Sequence, residues 1–192
     1  MMQLKKMATF CSVLIAIGLV DSASAAETAT ATLSATSLGG GNFQYNIALK
    51  NTSSTSIGTF WFSWIPGYDF MNVSPTSITA PTGWVAPVTG PDFTGDGYAI
   101  EYYNLGGSGD QLAPGATDNF SFDSTETLSQ ISGAGAGPLG SFYDQTTSYV
   151  YAGQPETDAG FQFNVTPVVP EPVSIGMIAI GAGAFFLRRR RA

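Results

Sequence analysis

Between Ala26 and Val169 the hydrophobic positions recur every second residue, in short runs broken by glycine, proline and small polar residues. Phe43, Tyr45, Ile47 and Leu49 alternate with Gln44, Asn46, Ala48 and Lys50, the signature of a half-buried strand. Gly39-Gly40-Gly41 before it reads as a turn that follows a threonine/alanine-rich lead, Thr28 to Thr36. Ile57 to Ile65 is aromatic on both faces, Phe60, Phe62 and Trp64 against Trp61, as expected of a central strand. Shorter candidates follow at Tyr68 to Val73, Ser77 to Ala80 and Trp84 to Val85, punctuated by Pro75, Pro81, Gly83 and Pro87.

Alternation returns at Tyr98 to Tyr103, with Tyr98, Ile100 and Tyr102 opposite Ala99, Glu101 and Tyr103. Asn119 to Asp123 puts Phe120 and Phe122 on one face, and Ser148 to Ala152 and Phe161 to Val165 supply two further strands. Ser132 to Gly140, rich in glycine and alanine, reads as a loop, and no stretch in this window sustains a 3.6-residue period. Many short strands, frequent turn signals and no helix predict an all-β fold, a single antiparallel β-sandwich spanning residues 26–167. About 144 residues is enough for one domain with its own core.

The two ends follow different rules. Lys5 and Lys6, the uncharged apolar run Met7 to Val20, and Ala23-Ser24-Ala25 have the layout of a cleaved signal peptide over residues 1–25. Cys11, the only cysteine, lies inside that apolar run after Phe10, so it is expected to leave with the signal. The mature chain then has no disulfide although it is exported. Residues 168–192 hold an extended Pro170-Glu171-Pro172, an uncharged run Val173 to Leu187, and Arg188, Arg189, Arg190 and Arg191. Fifteen residues rise about 22 Å as a helix, short of the roughly 30 Å hydrocarbon core, so the span is marginal unless the arginine stems snorkel. The arginine block acts as a stop that stays on the cytoplasmic side.

Pro170-Glu171-Pro172 with Ser174 two places on, a short membrane helix and a terminal arginine cluster resembles the PEP-CTERM sorting signal of Gram-negative surface proteins. The resemblance covers about 25 of the 192 residues. It implies recognition by an exosortase-like membrane processing enzyme, inner-membrane anchoring before processing, and a final place at the cell surface or in an exopolysaccharide matrix. It assigns a fate to the chain and no activity to the domain.

Composition narrows the chemistry. Twelve of the fourteen acidic residues but one of the seven basic residues, Lys50, fall between Ala26 and Val169, which sets the formal charge there near −11. Such a surface repels nucleic acid. The chain has no histidine, which removes the commonest general base, the serine-histidine triad and most zinc sites. No cofactor is implied. A carboxylate pair drawn from Asp69, Asp92, Asp96, Glu101 and Asp123 is the one remaining route to glycoside hydrolysis, and their spacing does not pair them. Asp92, Thr94 and Asp96 alternate as in a calcium loop, but Tyr103 stands where a bidentate glutamate belongs. Asp96-Gly97 reads better as a turn into the Tyr98 strand.

The remaining signal is aromatic. Trp61, Trp64, Tyr68 and Trp84, with Tyr103, are candidates for a platform that stacks on sugar rings, or else they fill the core. Trp61 and Trp64 are three apart and should point to opposite faces of one strand, leaving one of them exposed. Two expectations result: a non-catalytic structural or adhesive surface protein, and alternatively a carbohydrate-binding module using an exposed Trp/Tyr face. Replacing Pro170-Glu171-Pro172 by alanines should leave a full-length, membrane-retained species on a blot of host fractions; normal processing of that variant would sink the sorting assignment.

Overall fold

A computed structural model describes residues 27–91, 96–107, 109–133, 143–153 and 159–168. The expected signal peptide, the expected sorting tail beyond Val168, and Asp92 and Thr94 lie outside the described residues. Among the described residues no helix is long and apolar enough to cross a membrane.

The strands are β1 (Ala29–Gly39), β2 (Asn42–Asn51), β3 (Thr59–Phe62), β4 (Trp64–Ile65), β5 (Tyr68–Asp69), β6 (Thr76–Thr79) and β7 (Trp84–Val85). After them come β8 (Val88–Thr89), β9 (Ala99–Asn104), β10 (Thr117–Ser124), the one-turn helix α1 (Leu128–Ile131), β11 (Thr147–Tyr151), β12 (Phe161–Asn164) and β13 (Thr166–Val168). Two sheets face each other. One is five-stranded in the order β13-β1-β2-β10-β6, and the other runs β12-β11-β3-β9-β7 with β8 also pairing β9. The expected all-β sandwich is what forms.

The alternation seen in the sequence supplies both inner faces. Leu33 of β1, Tyr45, Ile47 and Leu49 of β2, and Phe120 and Phe122 of β10 meet Phe60 and Phe62 of β3, Ile100 and Tyr102 of β9, and Val150 of β11. Phe60 stacks on Tyr102 with centroids 5.6 Å apart and tilts against Phe120 at 5.4 Å, so one ring ties the two sheets together. Fully burying such a side chain contributes about 1.5–3 kcal/mol. The polar ends of Tyr45 and Trp84 in the inter-sheet core are satisfied by main-chain carbonyls. Tyr45 Oη donates to Glu126 O at 2.5 Å, and Trp84 Nε1 donates to Asp110 O at 2.8 Å. Burial, together with the nearby Glu126 charge, pushes the Tyr45 phenol up to about 12.

Several details depart from the sequence expectations. The Thr28 to Thr36 lead is the eleven-residue strand β1, with Ala29, Ala31 and Leu33 inward. Alanine against threonine is too small a contrast in hydrophobicity to announce that alternation. Past the expected Phe161 to Val165 strand, Thr166–Val168 adds β13, which pairs in parallel with β1 through Thr32 and Thr166. Buried Val165 is where the chain crosses from one sheet to the other. The expectation of no helix misses α1, which is too short to show a period. Its capping box is legible, however, with Thr127 and Gln130 bonding each other's backbone N–H.

The largest departure is inside Ile57 to Ile65. The run is not one strand: Ser63, buried and with φ of 63°, breaks it into β3 and β4. A left-handed serine costs about 1–2 kcal/mol relative to its ordinary backbone, so the surrounding packing must enforce it. Chemical denaturation should find Ser63→Gly within about 1 kcal/mol of wild type and Ser63→Val destabilised by about 1–3 kcal/mol. Equal stability of the two variants would show that the bend is not held at Ser63.

Candidate functional site

The break at Ser63 builds the feature of interest. In a continuous strand Trp61 and Trp64 would point to opposite faces; the left-handed residue between them turns β4 back over the outer face of β3. The indole rings of Trp61 and Trp64 stack at 4.4 Å and 21°, on one face. Trp61 is buried and Trp64 half-buried. Trp61 and Trp64 are therefore brought together, contrary to the expectation of opposite faces.

The two other platform candidates are not part of this face. Trp84 lies in the inter-sheet core, edge-on to Phe120 at 5.4 Å. Tyr68 is exposed, but it pairs with Ile65 across the β4–β5 hairpin while Trp64 pairs with Asp69. Residues directly opposite share a face, so Tyr68 projects from the other side of the hairpin from Trp64. Tyr103 does lie on the outer face of β9, opposite Thr59.

Tyr149 and Tyr151 of β11 take the vacated places. Trp64 meets Tyr149 edge-on at 5.8 Å and 86°, and Tyr151 at 6.3 Å and 64°. The two tyrosines stack on each other at 5.8 Å. Their spacing in the sequence, on either side of inward-facing Val150, shows that they share a face; that β11 lies beside β3 does not follow from it. Strand register then sets a row across the sheet: Gln162, Tyr149, Trp61 and Glu101. Tyr151 is covered by Gly160, whose absent Cβ leaves room for the ring. Trp64 and Tyr149 are half-buried, with rings set at nearly a right angle, and are flanked by the half-buried Glu101 and exposed Gln162.

Two polar groups in the face are under tension. Trp61 Nε1 is buried with no hydrogen-bond partner among the described residues. Burial in the aromatic surround raises the Glu101 carboxyl above the usual carboxylate range. Chemically this is an apolar corner of two perpendicular rings with an amide and a carboxylate at its margins. It suits a flat ring with an apolar face and a rim of hydroxyls.

Asp92 lies outside the described residues, and two of the other carboxylate candidates are held apart. Glu101 and Asp123 occupy outer faces of different sheets, on β9 and β10. Asp69 is buried in the β4–β5 hairpin, where its main-chain carbonyl accepts from Gly97 N at 2.9 Å. Among the described residues no three acidic, histidine or cysteine side chains cluster as metal ligands. Asp96 and Gly97 lie in the connection between the paired strands β8 and β9, and the expected turn falls partly on residues 92–95, outside the described residues.

No family model matches the chain. It is 37% identical over 107 residues to chitinase C of Streptomyces lividans; the match takes in 56% of this chain and spans 15% of that protein's length. Among solved structures, the chitin-binding domain of Chi18aC from Streptomyces coelicolor is 32% identical, with a TM-score of 0.29, over 50% of this chain and 78% of that one. CBM3b of the scaffoldin ScaA from Acetivibrio cellulolyticus gives a TM-score of 0.36 at 10% identity, over 74% of this chain and 97% of that one. The GH20 exo-β-N-acetylglucosaminidase of Vibrio harveyi gives 0.41 at 13% identity, over 73% of this chain and 18% of that one. With TM-scores below 0.5, the three structural overlaps decide nothing about this chain.

The raised carboxyl yields a signed prediction. A folded-state value above the unfolded one favours the protonated form, so this contribution is full below the unfolded value and is lost as pH rises through the folded one. Glu101→Gln should therefore raise the melting temperature at pH 7, and the difference should close near pH 3. A variant less stable than wild type at pH 7 would mean that the charge is held by favourable contacts.

Proposed function

We infer that the domain is a non-catalytic carbohydrate-binding module whose binding face is the outer side of the β12-β11-β3-β9 sheet. The observation that carries this reading is the convergence of Trp61, Trp64, Tyr149 and Tyr151 on that face, with Trp64 and Tyr149 half-buried at its surface. Large accessible aromatic rings are costly to leave in water, and their π-faces match the C–H face of a pyranose. Glu101 and Gln162 at the margins supply acceptors and donors for ring hydroxyls. The sequence similarity to a chitinase over 107 residues favours a neutral β-linked polymer of the chitin type as the ligand.

The sorting-tail resemblance fits the same role. An exported domain released by an exosortase-like enzyme at Pro170-Glu171-Pro172 would meet polysaccharide outside the cell. The structural or adhesive role expected from the tail then becomes a consequence of binding: the module holds the protein on a glycan matrix.

Binding to colloidal chitin, read by depletion from solution, tests the site. Trp64→Ala and Tyr149→Ala should each weaken retention by about three- to tenfold, the equivalent of about 0.5–1.5 kcal/mol of ring stacking. Trp84→Phe, a change in the core, should bind as wild type. Full retention of the Trp64→Ala/Tyr149→Ala double variant would remove this face from the binding site.

A further inference from the structure

The opposite outer face of the sandwich has a different character. Strand register on the five-stranded sheet sets Thr166, Thr32, Ala48 and Asn119 in one row. The next row runs Val168, Ser34, Asn46, Ser121 and Thr79, with Val168 exposed at the β13 edge and the Thr79 and Ser121 hydroxyls 2.5 Å apart in a hydrogen bond. A third holds Thr36, Gln44, Asp123 and Thr76. Side chains within a row are about 4.8 Å apart and rows follow about 6.8 Å apart, which makes a regular lattice about 14–19 Å along a row and about 14 Å across the three rows. Most of its positions are exposed, yet Lys50 and Asp123 are its only charges.

That pattern stands out in this chain. The window from Ala26 to Val169 carries twelve acidic residues, and one of them, Asp123, falls on this face. A solvated face normally mixes charges of both signs, which keeps a flat sheet soluble and without partners. Here the acid is placed elsewhere, and hydroxyls, amides and methyl groups are left in a plane. An anionic or cationic partner would find no matching charge. A neutral polyhydroxylated polymer would find alternating donors and acceptors, with threonine methyls to cover its apolar edges.

We propose that this hydroxyl/amide face is a second polysaccharide-binding surface, so that one domain grips two glycan strands from opposite sides and cross-links them. The proposal rests on the carbohydrate-binding reading above and adds bivalency to it. The aromatic face gives the tighter hold; the lattice face gives a broad, weak one. Because the lattice face is nearly uncharged, its contribution is insensitive to ionic strength.

The test is agglutination of colloidal chitin by the full chain, run beside binding by depletion and sedimentation velocity. Wild type should agglutinate, at 50 mM and at 500 mM salt alike. Thr32→Lys/Asn119→Lys should still bind through the aromatic face but lose agglutination by about tenfold or more, since avidity across two particles disappears. Trp64→Ala/Tyr149→Ala should lose agglutination and keep a weak residual retention that the added lysine pair abolishes. Agglutination by the lysine variant at the wild-type level overturns the proposal and leaves the aromatic site standing. A wild-type dimer that the lysine pair dissociates also overturns it, because a second copy of the chain would then cover the face. Loss of all retention in the lysine variant alone, with the aromatic variant binding normally, would instead overturn the aromatic reading and leave this face as the binding site.

Discussion

Everything in this domain depends on a single layer of rings between two sheets. Phe60 touches Tyr102 in its own sheet and Phe120 in the other, while Tyr45 stacks on Phe122 at 5.0 Å. With a single cysteine in the chain, no intrachain disulfide can staple the domain, so cohesion comes from apolar burial. Aromatic side chains suit this task because each removes a large area from water at the entropic cost of two torsions. The polar tips of Tyr45, Tyr102 and Trp84 would weaken such a core if unpaired. Each instead donates to a main-chain carbonyl, at Glu126, Ser121 and Asp110 respectively.

A packed inner layer leaves two outer faces free to diverge. On one, a local backbone irregularity concentrates rings: Ser63 stores strain, and in return Trp64 is folded onto Trp61 and against Tyr149. The bend sits where β3 is gripped by β9 and β11 on either side, so the sheet can hold a conformation that an isolated serine avoids. On the other face regularity itself is the feature, since β1, β2 and β10 run in register for eight residues or more with small polar side chains outward. The same fold thus offers an apolar corner on one side and a hydrophilic lattice on the other.

The glycines that matter do so through close approach. A Cβ at Gly97 would collide with the Met71 carbonyl, which accepts from Tyr98 N at 2.8 Å as the chain enters β9. Gly160 lets the Tyr151 ring lie flat beneath it, which fixes one wall of the aromatic cluster. These positions tie loop connections to the sheet that carries the candidate site.

Alternation of apolar and polar residues was enough, from the sequence, to place β2, β9, β10 and β12 and to assign their inner faces, because a period of two leaves a strand no other way to bury one side. Length, turn residues and the lack of a helical period were enough to name the sandwich. The expected tail and leader are likewise readings of linear order alone. What the sequence could not decide depends on residues far apart in the chain. Strand order sets Tyr149 beside Trp61 across 88 positions, and no local pattern encodes that neighbour. Ser63 reads as one more residue of a strand, since its positive φ is imposed by packing and not by its own preference. Tertiary structure therefore sorted the tryptophans: Trp84 to the core, Trp61 and Trp64 to one outer face. Each choice was fixed by which surface the neighbouring strands left open.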